Sequence, residues 1–414
     1  MPQGSLLIFN GTALRGGQEY QNCAVLIDHG RIIAISTDGV PPGEPLRTVD
    51  ARGNYIAPGF IDTHIHGFAG YDFMVEPLNA VDRVSRVLPQ TGVTAFVASI
   101  SGGAATMRGV LNQLVSGPDP VRVEGDEDVP RLRGAVAQLV GVHLEGPFLS
   151  PAFAGALERT SFLSPKDAAA QGFLDHLLVW QRRSLELPVM VTCAPELEGA
   201  PRLIQDLTAA GVLVAMGHSG AESSEAAQGR AAGSSHVTHL FNAMKGWHHR
   251  EPGLAGLCLA TAGMSCEVIV DGIHLHPDTV KVIVGAKSLA DILLVTDATA
   301  LAGQPDGTRV TLGGSTPIFR AGDRAVLADG TLAGSTLTMS EALSNLARFT
   351  GLSAADAVLL ATENPARVLG IDGFKGRLEV GMDADIVILN RDLDVLQTFV
   401  KGELAYDVPG SDGR

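Results

Sequence analysis

At 414 residues, 45% of them hydrophobic and 18% charged, the chain can bury a large core and carry a small accessory layer. Its net charge of −15 argues against nonspecific nucleic-acid binding, which needs a basic face to neutralise phosphates, and against attraction to an anionic membrane. Aromatic residues make up 5% and glycines number 49, a mix that suits short strands and tight turns better than a helical bundle.

The opening MPQGSLLIFN lacks a charged segment followed by a long apolar one, so no signal peptide is expected. Residues 1–56 read as short strands: LLIFNGTAL, NCAVLIDHGRIIAIS and the run to NYIAPGF cluster apolar residues around Gly, Asn and Asp. The tail, GRLEVGMDADIVILN and VLQTFVKGELAYD, reads the same way. We expect 1–56 and 371–414 to form one small β-sandwich domain built from both termini, around a catalytic domain at 57–370.

In that middle segment eight apolar runs follow one another: IAPGFIDTHIHG, GVTAFVASI, QLVGVHLEG, PVMVTCAPE, VLVAMGHSG, HVTHLFNA, CEVIVDGIH and DILLVTDAT. Parallel strands buried on both faces read as continuous apolar segments. Helical patterns fall between most of them, at 78–91, 199–210, 221–232 and 276–287. The alternation predicts an α/β fold, a (β/α)₈ TIM-like barrel. The segment 116–131 reads as a surface loop, and 246–256 and 303–335 as longer loops at the active end.

No run reaches about 18 uninterrupted apolar residues, so no membrane span is expected. Cys23, Cys193, Cys258 and Cys266 form no CxxC pair, which fits a reducing cytoplasm.

The ends of the strand candidates carry the chemistry. The first ends in His64 and His66, and the third carries His143 and Glu145. The fifth ends in His218, the sixth contains His239, the seventh ends at His274 and the eighth ends near Asp297. In a (β/α)₈ barrel these ends meet at one face. A lone buried His is usually a satisfied polar residue, but so many titratable groups at one mouth need a partner. A divalent cation supplies it, since imidazoles and carboxylates match Zn²⁺ or Fe²⁺. His64 and His66 share a strand face because side chains alternate with period two. Glu145 precedes Gly146-Pro147 and can bridge two ions; His143, on the same face, suits a supporting role. Asp297 can accept a proton from an attacking water and deliver it to a leaving amine.

With APGFIDTHIHG, GVHLEGPFLS, VTCAPE, AMGHSG, THLFNAM, REPGLAG, VDGIHLHP, LVTDATALAG, GTLAGSTLTM, ENPARVLGI and GRLEVGMDADIVIL, the chain resembles the N-acetylglucosamine-6-phosphate deacetylases of the amidohydrolase superfamily over nearly its whole length. The resemblance implies a principal metal held by Glu145, His218 and His239, with Asp297 close to it. It implies a second ion at His64 and His66. Zn²⁺ is the expected metal, with Fe²⁺ the alternative, at one or two ions per chain. It further implies substrate contacts from Ala156, Asn242, Ala243, Leu332, Ala333 and Gly334, and a phosphate grip by Arg250 with His249 beside it. His274 is implied to orient the sugar or polarise the reacting carbonyl. The implied partners are a phosphorylated N-acetyl amino sugar and a second copy of the chain in a homodimer.

One element departs from the family. Where it usually has Gly, a small residue, His and Asn, this chain reads Gly155-Ala156-Leu157-Glu158. Leu157 cannot donate a side-chain hydrogen bond, so N-acetylgalactosamine 6-phosphate or another N-acyl amine stays open as substrate. A catalytically dead barrel scaffold would have lost ligands that this chain keeps. A cyclic-amide hydrolase with a carboxylated lysine would need a Lys in the third or fourth strand candidate, and neither has one.

Overall fold

A computed structural model describes residues 5–37, 45–116, 135–183 and 187–408. The eight apolar runs become eight parallel strands: β1 (Phe60–Ile65), β2 (Val93–Ser101), β3 (Gln138–Glu145), β4 (Val189–Cys193), β5 (Leu213–Met216), β6 (His236–Val237), β7 (Ser265–Ile269) and β8 (Ile292–Val295). They pair in sequence order from β1 to β8. Backbone bonds close the ring: Asp297 N–H donates to His64 O at 2.9 Å, and His66 N–H to Ala298 O at 2.8 Å. The closure therefore places His64, His66 and Asp297 side by side.

Strands such as β2, VTAFVASIS, are buried at every position, as a strand covered on both faces must be. Several of the covering helices are amphipathic. α1 (Pro77–Val87) starts on a proline, whose missing N–H is no loss at a first helical turn, and buries Ala80, Val81 and Val84. α2 (Ala104–Ser116), α3 (Ala168–Arg183), α4 (Ala200–Ala209), α5 (Ser223–Ala231), α6 (Gly253–Ala260), α7 (Pro277–Ala286) and α8 (Met339–Thr350) follow. Thr338 and Glu341 cap α8 reciprocally.

The two termini meet in one eight-stranded sheet. Its order runs Glu403–Asp407, Val395–Val400, Ile386–Leu389, Tyr55–Pro58, Leu6–Arg15, Gln18–Asp28 and Arg31–Ser36, with Arg47–Asp50 pairing on Leu6–Arg15. Ile8, Val25, Ile56, Ile386 and Phe399 pack its separate core.

Two loop expectations need correction. Within 303–335 the chain forms a four-stranded antiparallel sheet of Arg309–Leu312, Thr316–Ala321, Arg324–Val326 and Leu332–Ser335. Its strands are too short for their alternation to stand out between glycines, yet Leu301, Leu312, Ile318, Ala325 and Ala333 bury a core of their own. The stretch 246–256 is a loop only as far as Pro252, where α6 begins. The loop expected at 116–131 falls, beyond Ser116, outside the described residues. Among the described residues no helix is long and apolar enough to cross a membrane.

Candidate active site

Four imidazoles and two carboxylates converge at the C-terminal mouth of the barrel. Glu145 ends β3; His64 lies in β1 and His66 just beyond it. His218, His239 and Asp297 each sit two residues past β5, β6 and β8, with φ of 48°, 28° and 49°. Left-handed backbone at non-glycine residues costs about 1–3 kcal/mol each and persists where the surroundings enforce it. Here it turns each side chain inward at its strand end.

Glu145 is the hub. Its Oε1 lies 2.9 Å from His218 Nε2 and 3.0 Å from His239 Nε2. Its Oε2 lies 3.3 Å from His66 Nε2. Asp297 Oδ1 is 3.4 Å from His66 Nε2 and 3.5 Å from His64 Nε2. The side chains form two groups able to hold a metal ion, one of His64, His66 and Asp297, the other of Glu145, His218 and His239.

The donor chemistry fits a cation. His218 Nδ1–H donates to the Phe153 carbonyl at 2.8 Å, and His64 Nδ1–H to Glu267 at 2.8 Å. Each neutral ring then turns an Nε2 lone pair to the centre. The facing nitrogens are close: 3.1 Å between His218 and His239, and 3.3 Å between His64 and His66. Lone pairs that near one another and near carboxylates need positive charge between them. At the His64 and His66 pair of the metal-free chain protons supply it. Burial pushes the His64 imidazolium down, but Glu267, Asp297 and Glu145 outweigh it and raise the group to about 9. His66 is likewise held well above its ordinary value, against burial, by Asp297 and Glu145.

A cavity of roughly 290 Å³ opens over this centre. Of the residues expected to contact substrate, Ala156, Asn242, Ala243, His274, Leu332 and Gly334 line it. Gly334 has φ 62°, and a Cβ there would meet Asp297 O at 2.7 Å, so only glycine lets this strand pass so near. Ala333 alternates away into the core of the small sheet. Arg250 does not line the cavity either. It is exposed on the loop before α6, with Nη1 2.9 Å from His249 Nε2. Leu157 does line it, packed with Ala156 against the Leu312 and Ile318 cluster.

His143 stands behind the centre, edge-on to the His64 ring with centroids 4.6 Å apart. It bonds Thr192 Oγ1 at 2.7 Å and Ser99 Oγ at 3.1 Å, and burial holds its imidazolium form well down. Sequence reasoning missed two carboxylates. Glu267, fully buried on β7, bonds His64. Asp271, in VDGIH, bonds His274 Nδ1 at 2.6 Å. The signal for Glu267 was a single charge inside the apolar CEVIV run.

A barrel with this centre defines a metal-dependent hydrolase class, and the comparisons agree. Residues 55–405 match the Amidohydrolase family, and the chain belongs to it. It is 36% identical over 404 residues to the N-acetylglucosamine-6-phosphate deacetylase of Bacillus subtilis (strain 168), covering 97% of each chain. It is 33% identical to the N-acetylgalactosamine-6-phosphate deacetylase of Escherichia coli O157:H7, covering 92% of this chain and 95% of that one. Among solved structures, the N-acetyl-D-glucosamine-6-phosphate deacetylase of Mycobacterium smegmatis, a mutant in complex with N-acetyl-D-glucosamine-6-phosphate, superposes with TM-score 0.84 at 30% identity, covering 97% of this chain and 99% of that one.

Proposed function

We propose that the chain is a metal-dependent deacetylase that hydrolyses N-acetylglucosamine 6-phosphate to glucosamine 6-phosphate and acetate in amino sugar catabolism. The observation that carries the chemistry is the convergence of His64, His66, His218 and His239 on Glu145 and Asp297 beneath one cavity. The substrate is supported by relatives of that activity matched over nearly the full chain.

Glu145, His218 and His239 would hold the principal ion. His64, His66 and Asp297 would hold a second, with Glu145 reaching both groups. Imidazole and carboxylate donors favour Zn²⁺, with Fe²⁺ the next fit. When bound, the metal supplies Lewis acidity, which brings the pKa of a water to roughly 7 and polarises the acyl carbonyl.

The chain's own groups do the rest. Asp297 Oδ1 takes the proton of the attacking water and returns it to the departing amine nitrogen. His274 donates into the cavity, toward the oxygen on which negative charge develops. Asn242, Ala243, Ala156, Leu332 and Gly334 shape the sugar site, with Ala333 packed behind them in the core of the small sheet. Arg250, a guanidinium suited to bidentate phosphate contact, anchors the 6-phosphate from the exposed loop before α6.

We assign 1–56 and 371–414 to the accessory β domain and 57–370 to the catalytic domain, with the strand Tyr55–Pro58 of the terminal sheet spanning the first boundary. The four cysteines, all buried and unpaired, support a cytoplasmic setting. The family resemblance supports a homodimer.

A second reading, N-acetylgalactosamine 6-phosphate as substrate, is favoured by Leu157 in the cavity wall and by the Escherichia coli relative. Acetate release from the two epimeric phosphates and from unphosphorylated N-acetylglucosamine, by metal-loaded protein, separates the readings. Fast release from the gluco phosphate alone supports the first. Release chiefly from the galacto epimer replaces it with the second, and release from none of the three rejects both.

A further inference from the structure

Glu267 is a carboxylate in a place where charge is costly. It sits on β7 with no solvent exposure and does not line the cavity, so it cannot touch substrate. An isolated buried carboxylate would be neutralised or replaced by an apolar residue unless its partners offset the lost hydration. Two of those partners, His64 and His239, belong to the metal centre. Oε2 accepts from His64 Nδ1 at 2.8 Å and from the His239 backbone N–H at 3.2 Å. Oε1 faces His236 Nε2 at 3.3 Å. One side chain on β7 therefore reaches across the barrel to β1 and also holds the backbone N–H of His239, a ligand of the other metal group.

The bond to His64 has a chemical consequence. A carboxylate can only accept, so it keeps a proton on Nδ1; in the neutral ring that an ion requires, Nε2 is then the bare nitrogen toward His66 and Asp297. The opposite tautomer would put an N–H where a cation has to sit. A negative charge behind the ring also makes Nε2 a stronger donor.

From this we infer that Glu267 is a positioning residue that locks His64 in its metal-binding tautomer and so governs ion uptake at the His64, His66 and Asp297 group. The inference rests on the metal-centre reading above and deepens it. Asp297, the proton carrier, shares that group, so Glu267 acts on turnover only through the ion's neighbours.

The test is metal uptake, not turnover. Metal-free wild type, Glu267→Ala and Glu267→Gln are titrated with Zn²⁺ against a chromophoric chelator, and bound zinc is counted per chain. Glu267→Ala is expected to weaken uptake at the His64 group by about 10–100-fold while the Glu145 group changes little. Glu267→Gln should recover most of that loss, because its amide oxygen can accept the same bond. Unchanged uptake in Glu267→Ala overturns the inference. So does equal weakening in Ala and Gln, or a parallel loss at both groups, since a packing role alone would do that. If neither variant folds, ¹⁵N-histidine spectra of the zinc-loaded wild type decide: a proton on His64 Nδ1 supports the lock, and one on Nε2 overturns it. Wild type that takes up no zinc would instead fail the metal-centre reading, which keeps the two failures apart.

Discussion

Asp271 Oδ2 lies 2.6 Å from His274 Nδ1, and its Oδ1 accepts the backbone N–H groups of Ile273 and His274 at 2.8 Å each. The carboxylate thus fixes both the ring and the turn that carries it. Burial lowers the His274 pKa, but Asp271 raises it more, so the net shift is upward. A raised imidazole pKa keeps the proton-donating form to higher pH. Asp271→Asn retains an acceptor but loses the charge, so the His274 pKa should fall. The alkaline limb of the kcat/KM profile for acetate release should then move to lower pH, with the acid limb in place. A limb that stays put, or moves upward, removes His274 from the proton inventory.

Asp297 carries the proton transfer in the proposed reaction, and its Oδ1 already faces both His64 and His66. Asp297→Asn keeps the shape and one oxygen donor but cannot take a proton. Turnover should drop by about 10²–10⁴-fold, the usual range for losing a general acid–base group. Zinc content measured alongside should show the Glu145 group still occupied. Near-normal turnover in that variant would move the proton transfer to another residue.

Arg250 raises a question of reach. No Lys or Arg is among the residues lining the cavity, and the net charge of −15 gives the protein no general attraction for a phosphate. The exposed Arg250 guanidinium, beside His249, is a cation on the adjoining loop, where Lys245 is held by Glu222. Arg250→Ala should raise KM for N-acetylglucosamine 6-phosphate by about 10–100-fold, as expected for losing a charge-assisted contact of roughly 1.5–3 kcal/mol. The unphosphorylated sugar serves as internal control and should be unaffected. Equal losses on both sugars would mean that Arg250 shapes the loop and does not grip phosphate.

Much of this was legible in the sequence because barrel strands advertise themselves. IAPGFIDTHIHG and DILLVTDAT read as buried strands, and the residues at their ends meet because the barrel closes between β8 and β1. Strand period two put His64 and His66 on one side, as found. The same rule explains why Ala333 turns from the cavity while Leu332 and Gly334 face it. Glu267 and Asp271 were not legible as site residues. Each acts through a partner placed by tertiary closure: Glu267 through His64, 203 positions away, and Asp271 through a turn whose shape no pattern announces. The sheet at 309–335 escaped notice because its strands of three to six residues show too few alternations to separate from a Gly-rich loop.

Lys375 pins the segment that leads into the strand Ile386–Leu389 and gives a stability prediction independent of the active site. Its Nζ lies 2.5 Å from Asp385 Oδ2 and 3.2 Å from Asp383 Oδ2, all three side chains buried. Asp385 Oδ1 also accepts the Lys401 N–H at 2.8 Å, so the pair stitches the turn before Glu403–Asp407 to the strand Ile386–Leu389. Removing one partner of a buried pair leaves uncompensated charge, at a cost of about 3–5 kcal/mol. Lys375→Met should therefore lower the urea midpoint at neutral pH by a large fraction of a total stability of about 5–15 kcal/mol. Acetate release per folded molecule should be unchanged. Burial lowers the Lys375 pKa, but the two aspartates raise it more, so the folded value lies above the unfolded one. A raised folded pKa gives stability that is whole below about 10.4, the unfolded value, and is lost as pH climbs through the folded one. Wild type and Lys375→Met should accordingly converge only in strongly alkaline buffer. A constant difference between them up to and beyond that range would show that the lysine's packing, not its charge, holds this segment in place.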